Sequence, residues 1–282
     1  MAAPDFVVVG HVTRDIVADG WRPGGTPTFA AVQAHRLGYS VGVVTRTAGD
    51  VGLEDLFPFA QIIDAGSDVT TAFENSYTGS ARTQQIRAVG ATIEIADVPS
   101  DWRAAPVVLL GPVFGEVAAA LPSAFAAASL VGVSAQGWLR SADANGRVVH
   151  AAWSGEPFWQ GARVVFVSEE DLAGGGDELD RWAASVPIVV LTASSRGARV
   201  FADGGWRTID SFPQEEVDPT GAGDTFATGF LIRLHETNDV DEAARFGAAA
   251  ASLSVGGIAA TAIPARAEVE ERMRQFPHVA LQ

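Results

Sequence analysis

Small residues and a carboxylate stand side by side in the segment DPTGAGDTF, residues 218–226. Helical spacing recurs in the apolar side chains that follow, which are Phe226, Phe230, Leu231 and Leu234. This spacing predicts a helix whose N-terminus lies at residues 221–224. The first N–H groups of a helix have no intrahelical partner and the helix dipole is positive there, which suits a phosphate or a transferring phosphoryl group. Gly221, Ala222 and Gly223 are small enough to leave these N–H groups accessible.

Asp224 has two interpretations at this position. A carboxylate near a substrate hydroxyl can accept its proton as the oxygen attacks a phosphoryl group, while the helix end stabilises charge on the transferring oxygens. The same carboxylate could instead cap the helix. A dinucleotide-binding fingerprint is excluded, because Gly221, Gly223 and Phe226 give only GxGxxF and the preceding SFPQEEV does not read as a buried strand.

The elements that would position this segment follow from runs of apolar, β-branched residues. Such runs begin at Phe6, Val41, Pro106, Leu130, Arg163 and Pro187. Stretches of helical spacing lie between most of them, as in AAVQAHRLG from Ala30 and GEVAAALPSAFAAA from Gly115. Continuous apolar strands that alternate with helices predict an α/β fold, with a doubly wound, mostly parallel sheet and helices on both faces. We expect a single domain over residues 1–282.

Alanine-rich segments recur along the chain as AAVQAH, AAAL, AFAAAS and GAAAAS. Alanine has the highest helix propensity and little bulk. All four segments are therefore predicted to be helices that pack closely on the sheet.

One polar segment, from Thr71, breaks the alternation of strands and helices. Its period-2 pattern predicts a hairpin with a turn at residues 78–80. On the first strand Phe73, Asn75 and Tyr77 share one face, and on the second strand the alternating residues are Arg82, Gln84 and Ile86. A solvated surface hairpin and a lid that faces the substrate both fit this pattern. A second small hairpin is predicted around Asn145 and Gly146.

Composition excludes several classes of function. The absence of cysteine excludes disulfides and Cys-ligated metals, and a net charge of −15 argues against nucleic acid as a partner. The N-terminal segment reads as a first strand rather than a signal peptide, and no apolar run is long enough for a membrane span, so we expect a cytoplasmic protein. GxxxxGK[ST], HExxH and GxSxG motifs are absent. His11 is more consistent with a structural or substrate-contacting residue than with a metal ligand.

The segment DPTGAGDTFATGF resembles the C-terminal signature of the ribokinase-like, or PfkB, carbohydrate kinases. The N-terminal stretches VVVGHVTRDIV, GGTPTFAAVQAHRLG and TRTAGDVG resemble further signatures of that family in the same order. The resemblance implies that Asp224 is the catalytic base, that Gly221, Ala222 and Gly223 form the anion hole, and that Asp15, Gly24 and Gly25 bind the substrate. A helix is expected from Thr28, and a small β lid is expected from about residues 12–25 and 71–98.

The same resemblance implies ATP as the phosphoryl donor, together with Mg²⁺ and possible activation by K⁺. The residues expected at the nucleotide are Thr192, Gly197, Ser252, Gly256 and Gly257, although the last two could simply end a helix. Asp218 and Thr220 would belong to the monovalent-cation loop. The family's Asn-x-x-Glu motif, which organises Mg²⁺ through water, corresponds to VSEEDL, so Ser168 replaces the Asn and Asp171 the Glu. This replacement puts the detailed Mg²⁺ arrangement in question.

The acceptor is suggested by a departure from the family pattern. Phe29 stands where sugar kinases of the family carry an Asn, and it could either face a substrate ring or pack in the core. GHVTRDIV and GGTPTF resemble the myo-inositol kinase branch, which implies a neutral sugar or cyclitol. Besides Phe29, the residues expected at the acceptor are Asp15, Asn75, Arg82 and Gln84.

Three alternatives stay open for the acceptor and the activity. Arg82 could instead recognise a phosphate that the sugar already carries. A nucleoside kinase of the same family and a non-catalytic sugar-binding protein that retains the fold are the rival functions. The resemblance also leaves a homodimer through the lid strands open.

Overall fold

A computed structural model describes residues 3–78, 81–156, 158–172 and 176–282, without the side chains of 76–78, 81–82 and 176–177. Its main element is a nine-stranded sheet in the order β15-β14-β13-β12-β9-β8-β1-β4-β5. The strands are β1 (Phe6–Val9), β4 (Val41–Thr45), β5 (Ala60–Asp64), β8 (Val107–Leu110), β9 (Leu130–Ser134), β12 (Val164–Ser168), β13 (Ile188–Thr192), β14 (Ala198–Ala202) and β15 (Gly205–Ile209). The first seven run parallel, and β14 and β15 are antiparallel. The predicted doubly wound α/β class is confirmed.

A second sheet of four strands has the order β3-β2-β6-β7. Its strands are β2 (Thr13–Val17), β3 (Gly20–Gly24), β6 (Ala72–Thr78) and β7 (Ala81–Ala88). β2 pairs with β3 antiparallel and with β6 parallel, and β6 with β7 forms the predicted hairpin. We call these four strands the small sheet. A separate hairpin of β10 (Arg140–Ala142) and β11 (Val148–His150) confirms the second hairpin prediction.

Buried side chains cover both faces of the main sheet because strand residues alternate between faces. In β1, Phe6 and Val8 join one core and Val7 and Val9 join the other. The first core packs against α1 (Thr26–Arg36), α5 (Ala222–Thr237), α6 (Val240–Ser254) and α7 (Arg266–Gln275). The second packs against α4 (Gly176–Ala183) and irregular segments. Two one-turn helices, α2 (Leu53–Leu56) and α3 (Glu169–Leu172), complete the α-helices of the described residues.

The helix predicted from Gly115 is wrong, and so are the helices predicted for AAAL and AFAAAS. This connection between β8 and β9 contains only a 3-10 turn at Leu121–Ala124. The backbone around Val117 bonds to Ile93 instead, through Ile93 N–H to the Glu116 carbonyl and Ala118 N–H to the Ile93 carbonyl. Pro122 has no N–H with which to continue a helix. The helix expected from Thr28 is present, but it begins at Thr26.

The carboxyl ends of the parallel strands share one edge of the main sheet, and the small sheet and the N-terminus of α5 are connected to that edge. Ligands of doubly wound folds bind at this edge. Across the described ranges, no helix combines the length and apolarity that crossing a bilayer requires.

Candidate active site

The N-terminus of α5 lies where the sequence predicted it. The helix begins at Ala222, and Gly221 precedes it with φ of +80°, a left-handed conformation that favours glycine. Gly223 is exposed, and a Cβ at this position would have no heavy atom within 4 Å. The backbone at Gly223 therefore faces open space, although the Ala222 N–H at the same helix end donates to the Pro219 carbonyl at 3.2 Å. This open cradle suits a tetrahedral anion.

Asp224 is set into the same helix end. Burial raises the pKa of its carboxyl to about 6, while a hydrogen bond from the Thr26 hydroxyl and the charge of Arg140 oppose that rise, and the charge of Asp171 adds to it. A carboxylate with a pKa near neutrality is well matched to proton transfer. The N-cap position itself is Gly221, which has no side chain with which to cap the helix. The general-base and helix-capping roles of Asp224 stay predictions.

The acceptor candidates lie on one face of the small sheet. Asp15 is directly opposite Phe73 of β6, and Asn75 is opposite Gln84 of β7, where Gln84 Nε2 donates to Asn75 Oδ1 at 3.2 Å. The Thr13 hydroxyl donates to Asp15 Oδ1 at 2.9 Å. Directly opposite residues point to the same side of a sheet, so these side chains form a polar face.

The two glycines of GGTPTF are each required by a close approach. A Cβ on Gly24 would lie 2.5 Å from Asp15 Oδ2, so this glycine makes room for the carboxylate. Gly25 has φ of +80° and directly precedes α1. Arg82 belongs to β7 by its backbone, and its side chain lies outside the described residues.

Phe29 does not offer a surface to a substrate, which corrects one of its two sequence interpretations. Its side chain is 3% exposed, and its ring lies against Gly221. The ring occupies the space that a Cβ on Gly221 would need. Phe29 therefore packs beneath the helix end that carries the glycines and Asp224.

Asp171 follows β12 and is surrounded by donors. The Ser168 hydroxyl donates to Asp171 Oδ2 at 2.5 Å, and Gln136 Nε2 donates to Oδ1 at 3.3 Å. No cluster of three or more acidic, His or Cys side chains that could hold a metal occurs among the described residues. Mg²⁺ needs no such cage, since it keeps several waters and binds through one or two carboxylates and substrate phosphates. Asp171 and Asp224, which influence each other electrostatically, fit a hydrated ion of this kind.

Asp218 and Thr220 lie together in the loop before α5. Asp218 Oδ1 accepts from Thr220 N–H at 2.9 Å, and Oδ2 accepts from Ala259 N–H at 3.0 Å. Although burial raises the pKa of Asp218, these hydrogen bonds and the charge of Arg22 hold it below its ordinary value. Ala259 adopts φ of +49°, which is unusual for alanine. The loop thus presents an ionised carboxylate beside a strained backbone turn.

The nucleotide candidates fall into two groups. Thr192 is the last residue of β13, Gly197 lies in the turn to β14 with φ of +90°, and Gly256 and Gly257 follow Val255, the C-cap of α6, so these four lie at the end of a strand or in loops. Ser252 does not fit the prediction, because its side chain is 5% exposed and its hydroxyl donates to the Ala249 carbonyl of its own helix at 2.8 Å. Its polar group is already satisfied inside α6.

Sequence reasoning missed Glu116, which is 3% exposed. Its carboxylate accepts the N–H groups of His11, Val113 and Phe114 at 2.8 to 3.0 Å, which joins the ends of β1 and β8. A single acidic residue within the apolar stretch GPVFGEV was the available signal. Thr26 and Arg140 were also missed, although Thr26 directly follows the two glycines of GGTPTF. His11 proves structural, with both ring nitrogens bonded to Thr71 and Ala91.

Comparison with known proteins gives one family and several relatives. Residues 161–266 match the model of the pfkB family of carbohydrate kinases. An inositol 3-kinase of Oryza sativa subsp. japonica is 31% identical over 276 residues, which cover 87% of this chain and 68% of the relative. A cytidine kinase of Thermococcus kodakarensis is 26% identical over 262 residues, which cover 86% of this chain and 93% of the relative.

A similar fold occurs in a solved structure of a pyrophosphate-dependent kinase in the ribokinase family, complexed with a pyrophosphate analogue and myo-inositol. The TM-score is 0.76 and the identity is 21%, with 95% of this chain and 99% of that chain covered. At this identity the likeness concerns the fold.

Proposed function

The chain belongs to the pfkB family of carbohydrate kinases, and we propose from this membership that it transfers the terminal phosphoryl group of ATP to a hydroxyl of a cyclitol or sugar. The family predicted from the sequence motifs is confirmed, and the chain is a phosphotransferase with an alcohol group as acceptor. Asp224 is the base in this proposal, and the N–H groups of residues 221–223 form the anion hole.

One observation carries the catalytic assignment. Asp224, with its pKa raised to about 6, lies at a helix end whose backbone is open at Gly223. A base and an anion site thus adjoin each other, as in-line transfer from a phosphate to a hydroxyl requires. A protein that only bound sugars would have no need for an acid at an open anion site.

The proposed reaction proceeds in one displacement. The acceptor oxygen attacks the γ-phosphorus as its proton passes to Asp224, a new O–P bond forms, and the bond between the γ-phosphorus and the bridging oxygen breaks to release ADP. The N–H groups at the start of α5 stabilise the negative charge on the transferring oxygens. Asp171 and Asp224 would hold a hydrated Mg²⁺, which would supply further neutralisation of charge on the donor phosphates.

A cyclitol acceptor is supported by the polar face of the small sheet. Asp15 accepts hydrogen bonds from hydroxyl groups in this proposal, and Asn75 and Gln84 supply amide contacts. The rice relative that covers most of this chain is an inositol 3-kinase. The small sheet acts as a lid that closes over the acceptor and excludes water, which limits wasteful hydrolysis of ATP.

A nucleoside is the second candidate for the acceptor. Phe73 of the small sheet and Phe114 of the loop after β8 form an edge-to-face pair with centroids 6.3 Å apart. Phe114 is partly exposed, so its ring could contact a base. The archaeal relative whose length is almost fully covered is a cytidine kinase.

The test is acceptor-dependent formation of ADP with Mg²⁺ and ATP across myo-inositol, other cyclitols, ribose, fructose, fructose phosphates and nucleosides. Pyrophosphate replaces ATP in a parallel series, in which product phosphate is measured. Asp224→Asn serves as the blank. Turnover of one cyclitol or sugar that the variant loses supports the proposal, whereas turnover of nucleosides alone selects the second candidate. Acceptor binding without turnover under any donor would overturn the kinase assignment.

A further inference from the structure

Arg140 lies between two loops at the active-site edge of the main sheet. It follows the 3-10 turn Ala135–Leu139, which continues from β9, and it is the first residue of β10. Its Nη1 donates to the Val113 carbonyl at 3.4 Å, and its Nη2 is 3.7 Å from Asp171 Oδ1. The guanidinium therefore spans the space between the loop after β8 and the loop after β12.

The Asp171 carboxylate is arranged as an anchor for this cation. Ser168 bonds to Oδ2, and Gln136 and Arg140 both approach Oδ1. The side chains of Arg140 and Asp171 are only 16% and 10% exposed. A pair that is largely withdrawn from water interacts more strongly than a surface pair and keeps its members in place. The ion pair thus fixes the guanidinium at the edge of the active site.

The neighbours and the charge of Arg140 relate it to the proposed site of phosphoryl transfer. Val113 lies in the loop after β8, which Glu116 joins to His11 just before the small sheet, whereas Asp171 follows β12. The positive charge of Arg140 also acts on Asp224 at the start of α5. The distances from the guanidinium to the Val113 carbonyl and to Asp171 Oδ1, 3.4 and 3.7 Å, are longer than those of strong hydrogen bonds.

We propose that Arg140 is a further catalytic residue, whose guanidinium contacts the terminal phosphoryl group of the donor while Asp171, itself bonded to Ser168 and Gln136, holds it in place. The inference rests on the proposed function, because it assumes that a triphosphate donor lies at the start of α5. Guanidinium groups bind phosphate oxygens through charge-assisted, often bidentate bonds, and they stabilise charge that develops during phosphoryl transfer. The replacement of the family's Asn and Glu by Ser168 and Asp171 is then part of an arginine-anchoring arrangement.

A purely structural role would give a different outcome. In that case Arg140 would only tie the hairpin β10–β11 to the loop at Val113, and its loss would affect every ligand alike. A contact with the terminal phosphoryl group instead affects ligands that carry this group and spares those that lack it. The comparison of a triphosphate with a diphosphate therefore separates the two roles.

Calorimetric binding of β,γ-methylene-ATP and of ADP, each with Mg²⁺ and without acceptor, tests the proposal. Arg140→Ala is expected to weaken binding of the triphosphate analogue about tenfold or more and to leave ADP binding within about twofold, since a charged hydrogen bond is lost only with the analogue. Arg140→Lys, which retains the charge, is expected to fall in between. Arg147→Ala removes an exposed arginine from the same hairpin and is the matched control.

Several outcomes would overturn the proposal. These are unchanged affinity for the analogue in Arg140→Ala, equal losses for both nucleotides, and absence of nucleotide binding by the wild-type protein. If Arg140→Ala does not fold, the ratio of the two affinities in Arg140→Lys decides in the same way. The measurement needs no acceptor, so failure to find a phosphorylated sugar would count against the proposed function without altering this result.

Discussion

Asp224 sets the pH dependence of the proposed reaction at the residue scale. A base must be deprotonated to accept a proton, and burial raises the pKa of this carboxyl to about 6. We expect kcat/KM to be constant above that pH and to fall about tenfold per pH unit below it, because this parameter reports groups of the free enzyme. Asp224→Asn should lose activity by about 10³-fold or more throughout the range. A pH profile of initial rates measures both effects.

Thr26 offers a control for the same profile. Its hydroxyl lowers the pKa of Asp224, so Thr26→Val should move the acidic limb to higher pH, and Thr26→Ser should restore it. Thr26 is buried against Gly111, and circular dichroism would confirm that each variant is folded. Two results would contradict the role of Asp224 as the base. One is an acidic limb of the pH profile that does not move in Thr26→Val, and the other is a wild-type limb whose midpoint lies near the ordinary carboxyl pKa.

Gly221 and Gly223 should respond to alanine in opposite ways. Gly223→Ala meets no neighbour and replaces glycine within a helix, so the folded protein should be unchanged or more stable by about 0.5–1 kcal/mol. Its new methyl group would occupy the space left for the phosphoryl oxygens, and kcat should fall at least about tenfold. Gly221→Ala should destabilise by about 1–3 kcal/mol, since it combines a left-handed φ with a clash against Phe29.

Thermal unfolding and steady-state kinetics of the two glycine variants provide the check. A Gly223→Ala enzyme that is stable and fully active would show that no ligand atom approaches this backbone. That result would remove the anion hole from the mechanism.

At the scale of elements, the small sheet should control the acceptor and leave the donor unaffected. Asp15→Asn removes the charge of a hydrogen-bonding carboxylate, and Gly24→Ala would place a methyl group 2.5 Å from Asp15 Oδ2 and displace it. Both should raise the KM for the acceptor about tenfold or more, because a hydrogen bond to a charged group contributes about 1.5–3 kcal/mol. The KM for ATP should change less than about twofold. Equal effects on both substrates would argue against a role confined to acceptor binding.

The strands and the start of α5 could be predicted because their signals are local. The runs at Phe6 and Val41 bury both faces of a parallel strand, and the glycines before Asp224 directly precede a helical repeat. The connection from Gly115 could not be read in this way, since its backbone is paired with Ile93, which is distant in the sequence. Arg140 and Thr26 approach Asp224 only through tertiary packing, and the burial of Phe29 and Ser252 is likewise set by their neighbours.

The electrostatics of the whole molecule oppose a substrate that is itself anionic. The net charge is −15, yet the donor in the proposed reaction is a polyphosphate. Local features must therefore offset the overall field. The described structure offers the N-terminus of α5 and Arg140, whereas Asp218, which remains ionised at neutral pH because its hydrogen bonds outweigh its burial, adds a negative charge. An ionised carboxylate next to the anion hole needs a cation to balance it.

Two effects of salt should therefore be separable. Choline chloride raised to about 0.1 M screens charges beyond about 10 Å, and it should lower the KM for ATP about twofold by weakening the repulsion from the acidic surface. Replacing choline by K⁺ at constant ionic strength should raise kcat further if the cation binds the loop at Asp218. Asp218→Asn should retain the response to choline and lose the response to K⁺. Initial rates in choline chloride and in KCl measure both responses. Equal activation of Asp218→Asn and the wild type by K⁺ would show that the cation does not bind the loop at Asp218.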